Sequence, residues 1–287
     1  MKIDTLILSG GGPSGMAYFG MFKALFEKKI IDPKLKGIQE IITTSVGIIP
    51  SIFFMLGIPI HLGEEIVMKY DIKNMIDGSN ISLDDLLIDF GLFKTDGVYN
   101  LLLCVIKNYC KKDDFTLIEL YEKTKIKLTV KVFNTTLKLI QYISHETDPE
   151  LSLLKLSQMT TAIPFFFKPV MYNDEYYVDG GMRGHFPIEV CKSKNYLGLF
   201  ITGGSVNHES ELMKMFPILE FMYSLIISQD KIVYDIKKNK SDKRIIFNSV
   251  DYGLNFDMPN EDKIKIINEG YNKTISHLKK HLEINKV

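Results

Sequence analysis

The chain has 287 residues, enough to bury a large core as one big domain or two small ones. Its hydrophobic fraction of 46% and charged fraction of 24% are those of an ordinary globular protein. Lys+Arg and Asp+Glu both number 35, so no net field favours nucleic acid or an anionic membrane, and no nucleic-acid partner is expected. Cys104, Cys110 and Cys191 are an odd, scattered set without metal spacing. They argue for a reducing compartment and against a disulfide framework, and neither metal nor cofactor is expected.

In chain order, residues 5–8 read as a short buried strand. Leu6-Ile7-Leu8 is too short an apolar run for a signal peptide, and glycines follow directly. The stretch Ser9-Gly10-Gly11-Gly12-Pro13-Ser14-Gly15 then leads into an apolar-periodic helix through about Lys28. Gly10, Gly12 and Gly15 satisfy G-x-G-x-x-G, and Asp32 lies near the acidic position of a dinucleotide-binding fold. A P-loop does not match, because Met16-Ala17 stand where Lys-Ser/Thr should be. The same glycines could instead present backbone N–H groups to the oxyanion of an acyl-transfer intermediate.

Residues 41–47 read I-I-T-T-S-V-G, and the apolar run 48–56 follows. That is strand, sharp turn, helix, with Ser45 at the apex, the arrangement that holds a nucleophilic hydroxyl above strand ends. The usual pattern is G-x-S-x-G; Gly47 supplies the second glycine and Thr43 replaces the first. A plain N-cap is the alternative use of such a serine. Gly47, Pro50, Gly57 and Pro59 interrupt the apolar stretch 41–60, so a buried strand–helix pair is expected there rather than a membrane span.

Residues 61–123 read as mostly helical, with apolar residues at helical spacing in 64–70, 83–90 and 98–109 and a capping box from Thr116 to Glu119. Strands are expected at 126–134 and 137–144, then a short helix at 149–159. Thr160–Pro169 is a small-residue turn followed by aromatics. Strands 170–172 and 176–178 flank Asn173-Asp174-Glu175 as a second hairpin, which delivers Asp179-Gly180-Gly181. Asp179 suits either an Asx-turn or a base presented at a strand end. His185-Phe186-Pro187 is expected to open a helix. Strands at 196–202 and 244–248, a long amphipathic helix at 211–237 and a last helix at 262–284 complete the reading. The alternation of strands and helices argues for one α/β domain over residues 1–287.

Four segments occur in order: S-G-G-G-P-S-G at 9–15, T-T-S-V-G at 43–47, T-T-A-I-P-F-F-F-K-P at 160–169 and D-G-G-M-R-G-H-F-P at 179–187. Together they resemble the patatin-like phospholipase family, as does the stretch F-T-L-I-E-L-Y-E-K-T-K-I-K-L-T-V-K at 115–131. The resemblance covers a motif-bearing core of about residues 3–200, with C-terminal helices and the last strand over about 201–287. It implies a three-layer α/β/α sandwich with a mostly parallel central sheet. It also implies hydrolysis of lipid acyl esters by a Ser–Asp dyad without cofactor. Position by position, Ser45 is then the nucleophile and Asp179 the general base. The N–H groups of Gly11, Gly12 and Val46 form the oxyanion hole. The expected partner is a lipid substrate at a membrane or micelle surface. The expected protein is soluble and cytoplasmic, peripheral on membranes, with no signal peptide or transmembrane helix.

Three positions depart from the family's pattern: Thr43 for the elbow's first glycine, Ser14 for an Arg or Lys, and His185 for an Asn. A β-branched residue at 43 is crowded, and His185 is expected to bond backbone at a helix start. The departures motivate one alternative, a catalytically impaired lipid-binding or scaffolding relative. A nucleotide-binding α/β protein is the other, resting on G-x-G-x-x-G alone.

Overall fold

The computed structural model describes residues 2–71, 83–202, 221, 242–250, 252, 255, 256 and 258–281. The first strand, β1 (Thr5–Leu8), passes through a 3-10 turn at Gly12–Met16 into α1 (Ala17–Glu27). Strand β2 (Glu40–Thr44) passes through a second such turn, Ser45–Gly47, into α2 (Ile48–Met55). Then come α3 (Ile60–Lys69), α4 (Leu83–Ile88), β3 (Gly91–Phe93), α5 (Asp96–Val105) and α6 (Leu117–Thr124). Strands β4 (Lys127–Asn134) and β5 (Leu139–Ile143) form a hairpin, followed by α7 (Leu153–Thr161) and β6 (Phe165–Phe167). A second hairpin joins β7 (Val170–Tyr172) to β8 (Glu175–Asp179). The described elements end with β9 (Tyr196–Thr202), β10 (Ile245–Ser249) and α8 (Asn260–His281).

The central sheet runs β10-β9-β1-β2-β4-β8-β7, with β5 paired to β4. The five strands from β10 to β4 are mutually parallel, and β5, β7 and β8 pair antiparallel. This is the expected α/β architecture, a mostly parallel central sheet flanked by helices. Its strands are apolar on both faces, as parallel strands must be when both are covered. Leu6 and Leu8 join the main core under the helices. Ile7 joins Ile42, Phe186, Phe200 and Ile245 in a smaller core on the opposite face. On the main face α1 and α8 approach backbone to backbone. A methyl on Gly20 would overlap the Ile267 carbonyl, and one on Gly270 the Ala17 carbonyl.

One feature of register places the site. Residues 127–131 of β4 pair with β2, ending at Thr44 opposite Lys131. Residues 132–134 pair with β8, ending at Asp179 opposite Val132. Because β5 occupies the other edge of β4 over residues 130–134, β2 and β8 share one edge. The parallel strand arrives from one direction and the antiparallel strand from the other. Their C-terminal ends meet at neighbouring positions of β4.

Several boundaries differ from the sequence reading. The helix expected at 83–90 stops at Ile88, and Gly91–Phe93 forms a strand paired in parallel with Phe165–Phe167 in a small separate sheet. Three-residue strands are too short to show a period. His185-Phe186-Pro187 opens no α-helix; a single 3-10 turn, Ile188–Val190, fills the short path to β9. The helix expected at 98–109 ends in a π turn at Ile106–Cys110. The capping box is present: Glu119 N–H donates to Thr116 Oγ1, and Thr116 N–H donates to Glu119 Oε2. Asn173 and Asp174 both take positive φ (49° and 60°), as a tight hairpin turn requires. The helix expected at 211–237 lies outside the described residues, as does the end of the last helix beyond His281.

Candidate active site

Ser45 sits where β2 turns into the helix, with φ at +53°. That left-handed conformation is unfavourable for a non-glycine residue, by on the order of 1–3 kcal/mol, and persists only when the surroundings impose it. Close packing surrounds the turn. A methyl on Gly47 would overlap Thr43 Oγ1 and lie 2.8 Å from the Ser9 carbonyl oxygen. A methyl on Gly15 would lie 2.5 Å from Val46 Cγ2. The absent side chains of Gly47 and Gly15 therefore make the room that Thr43 and Val46 fill. This resolves the crowding expected at Thr43: its hydroxyl sits over Gly47, buried and without a hydrogen-bond partner. Ser45 N–H donates to Thr160 Oγ1 (2.8 Å), and Thr160 Oγ1 donates to the Lys131 carbonyl (2.9 Å). Sequence reasoning gave Thr160 no role of its own. A threonine in the last turn of a helix carries no signal of a partner 115 residues away.

Asp179 is buried and ends β8. Its Oδ1 accepts the Gly181 N–H at 2.7 Å, which orients the carboxylate through the 3-10 turn Gly180–Arg183. A methyl on Gly181 would lie 3.0 Å from Asp179 Oδ1 and 3.3 Å from His185 Cβ. A methyl on Gly10 would lie 3.4 Å from the same His185 Cβ and 3.6 Å from Ser45 Oγ. Ser45, Gly10, His185, Gly181 and Asp179 thus form one contiguous group at the strand ends.

The glycine loop after β1 is held by neutral hydrogen bonds. Gly10 N–H donates to the His185 carbonyl (2.7 Å). Ser9 Oγ accepts the Ile201 N–H (2.9 Å), and the Tyr18 hydroxyl donates to the Ser9 carbonyl (2.6 Å). Full burial pushes the Tyr18 phenol far above its ordinary range, so it stays a neutral donor. Ser14 is buried and its N–H donates to the Gly11 carbonyl. His185 plays a structural part, but not at a helix start. Its Nε2 lies 3.0 Å from the Ile201 carbonyl, and its ring stacks on Phe200.

A cleft of about 720 Å³, measured to its open mouth, lies beside Ser45. Gly12, Pro13, Gly15 and Val46 share its lining with Ser45, whereas Gly11 is backed by Ile201. The walls are apolar: Val67 and Tyr70 at the end of α3, Val98 and Leu101 of α5, then Ile163, Phe167 and Phe256. The Tyr70 hydroxyl donates to the Gly97 carbonyl, and burial, then Asp71, raises its pKa to about 12. The wall therefore carries no charge at neutral pH. Buried Lys263 fixes the end of α3, donating to the Tyr70 carbonyl at 2.7 Å and the Met68 carbonyl at 3.3 Å. No cluster of metal-ligating side chains occurs among the described residues. No helix among them is long and apolar enough to cross a membrane.

A mixed α/β fold, with a serine turn and an aspartate turn meeting on one strand, is what this geometry defines. The patatin-like phospholipase family matches residues 6–192, and the chain belongs to that family. Among curated relatives, a protein of Invertebrate iridescent virus 6 named "Probable lipid hydrolase 463L" is 31% identical over 189 residues. That alignment covers 65% of this chain and 62% of the viral protein, so it spans less than two thirds of that relative. "Uncharacterized protein R571" of Acanthamoeba polyphaga mimivirus is 28% identical over 231 residues, 79% of this chain and 74% of that one. Among solved structures, VipD from Legionella pneumophila superposes with a TM-score of 0.65 at 19% identity, covering 98% of this chain and 67% of VipD. ExoU of Pseudomonas aeruginosa, in its complex with SpcU, gives 0.52 at 15% identity over 98% of this chain and 53% of ExoU. At these identities the two structures bear on the fold alone.

Proposed function

We propose that the chain is a serine lipid acyl hydrolase that cleaves acyl esters of phospholipids or related lipids, of the phospholipase A type. The observation that carries this reading is the meeting of the Ser45 turn and the Asp179 turn at neighbouring positions of β4, beside an apolar cleft. Family membership and the name of the iridescent virus relative support a lipid substrate.

In the proposed cycle Ser45 Oγ attacks the acyl carbonyl while Asp179 takes its proton. The tetrahedral oxyanion forms beside the glycine loop and the first turn of the Ser45 helix. Gly11, Gly12 and Val46 N–H groups would stabilise it there; Pro13 has no N–H to offer. The first N–H groups of a helix have no partner within it, and the helix dipole favours negative charge at that end. Asp179 returns the proton to the departing alcohol, which leaves an acyl-Ser45 ester. Water then attacks while Asp179 accepts its proton. Asp179 passes that proton to Ser45 Oγ as the acyl C–O bond breaks, so the fatty acid departs with Ser45 and Asp179 both restored. The cleft's apolar walls suit acyl chains, as the mostly hydrophobic lining of lipid and small-molecule sites does. Its open mouth suits a lipid entering from a membrane or micelle surface.

The test is labelling by a fluorescent fluorophosphonate, together with hydrolysis of a short soluble ester and of lipid vesicles. Wild type is expected to label and turn over, and Ser45→Ala to do neither while keeping its circular dichroism spectrum. Turnover retained by Ser45→Ala overturns the assignment. A folded wild type that binds vesicles yet neither labels nor hydrolyses is a lipid-binding protein instead.

A further inference from the structure

Lys131 lies in the middle of β4 with no exposed surface. Burying an ammonium costs several kcal/mol, even after relaxation, unless its protons find acceptors. All three are satisfied: Nζ donates to the Arg183 carbonyl (2.9 Å), the Gly184 carbonyl (2.7 Å) and Glu189 Oε1 (2.6 Å). The Tyr142 hydroxyl donates to the same Glu189 oxygen and holds that carboxylate in place. Glu189 is exposed and only the ammonium is buried, and burying a charge is a poor source of stability compared with an apolar side chain of similar volume. What it specifies here is position, because its acceptors close the loop that begins at Asp179.

We infer that Lys131 is a positioning residue whose side chain sets the aspartate half of the proposed dyad, while its backbone carbonyl braces the serine half, an inference that rests on the Ser45–Asp179 reading. Its ammonium acts on the aspartate side. The anchored loop carries Gly181, whose N–H holds Asp179 Oδ1. The loop lies directly on the strand, since a methyl at Gly180 would come within 2.6 Å of the Lys131 carbonyl oxygen. That carbonyl acts on the serine side. It accepts the hydroxyls of Thr44 (3.2 Å) and Thr160 (2.9 Å), and Thr160 in turn accepts Ser45 N–H. The loop's His185 carbonyl also takes the Gly10 N–H, so the glycine loop rests on the same support. One residue thus joins the serine turn, the aspartate turn and the glycine loop.

The experiment compares wild type, Lys131→Met and Glu189→Ala by steady-state hydrolysis of a soluble p-nitrophenyl ester and by the rate constant of fluorophosphonate labelling. Misplacing catalytic groups by about 1 Å can cost on the order of 100-fold. Lys131→Met is expected to lower kcat and the labelling rate constant by about that factor at nearly unchanged KM. Glu189→Ala leaves the two carbonyl anchors and is expected to show the same split with a smaller loss. A purely structural role would reduce the fraction of protein that labels, not the rate constant of the folded fraction. Labelling of Lys131→Met at the wild-type rate, or a loss confined to KM, overturns the inference and leaves the hydrolase reading standing. Should Lys131→Met fail to fold, Glu189→Ala decides: reduced kcat at unchanged KM supports the inference, and unchanged kcat overturns it. A wild type inert to the probe overturns the hydrolase reading and this inference with it.

Discussion

The turn at Ser45 and the turn after Asp179 end strands that meet on β4, yet they are held by different forces. Around the left-handed Ser45 backbone, Thr43 and Val46 occupy the spaces that Gly47 and Gly15 leave empty. A hydrogen bond from the Ser45 N–H to Thr160 Oγ1 adds a polar anchor. The aspartate turn depends on donors and acceptors instead: Gly181 N–H on the carboxylate, and a buried ammonium on two loop carbonyls and Glu189. Close packing is unforgiving of one added methyl, because interiors are dense and backbone cannot retreat cheaply. A hydrogen-bonded turn tolerates small changes of shape and responds to the loss of a donor or a charge. The serine turn should therefore break under added bulk, and the aspartate turn under altered polarity.

The largest expected effect tests the second half of that contrast. Asp179→Asn keeps an oxygen to accept the Gly181 N–H, so the turn should survive and the melting temperature stay close to wild type. The proposed general base is removed, and kcat should fall at least about 100-fold. Loss of folding with the carboxylate would mean that Asp179 serves chiefly as a turn-former. Next in size is Gly47→Ala. Gly47 has ordinary helical φ and ψ (−60°, −17°), so alanine would by itself favour the helix by about 0.5–1 kcal/mol. The overlap with Thr43 Oγ1 and the approach to the Ser9 carbonyl should reverse the sign, a net loss of about 1–3 kcal/mol in denaturant unfolding. Thr43→Ala in the same chain should recover part of it, because it removes one of the two obstacles. A stabilised Gly47→Ala would show that the turn is not held by shape.

The contrast also explains what the sequence could disclose. Glycines at 10, 12, 15 and 47 and the strand-ending Asp179 are local signals, because a close approach must be written at the residue that makes it. Strands β1 and β9 were legible to the residue, since buried parallel strands are short apolar runs bounded by breakers. The pairing of Gly91–Phe93 with Phe165–Phe167 was not, since neither triplet has a period and their partnership spans more than seventy residues. Lys131 and Thr160 stand inside recognisable segments, but nothing around them announces a buried ammonium under one loop or a hydroxyl shared by two backbones. Their meaning lies in register: Lys131 faces Thr44 across one ladder and is followed by Val132, which faces Asp179 across the next.

Two smaller changes sharpen the comparison at single atoms of the serine turn. Thr160→Val removes the acceptor for Ser45 N–H and one donor to the Lys131 carbonyl while keeping side-chain volume. An orphaned buried N–H costs about 1–3 kcal/mol. Unfolding free energy should fall by about 1 kcal/mol, with slower fluorophosphonate labelling, because the backbone of the proposed nucleophile loses its polar anchor. Thr43→Val should act in the opposite direction. The Thr43 hydroxyl is buried with no partner, so the folded state carries its desolvation without return. Valine swaps that oxygen for a methyl in a space made by Gly47. If the gap admits the slightly larger group, stability should rise by up to about 1 kcal/mol at unchanged kcat. If stability falls while Thr43→Ala is neutral, the gap is sized for oxygen, and threonine is retained there for fit rather than for hydrogen bonding.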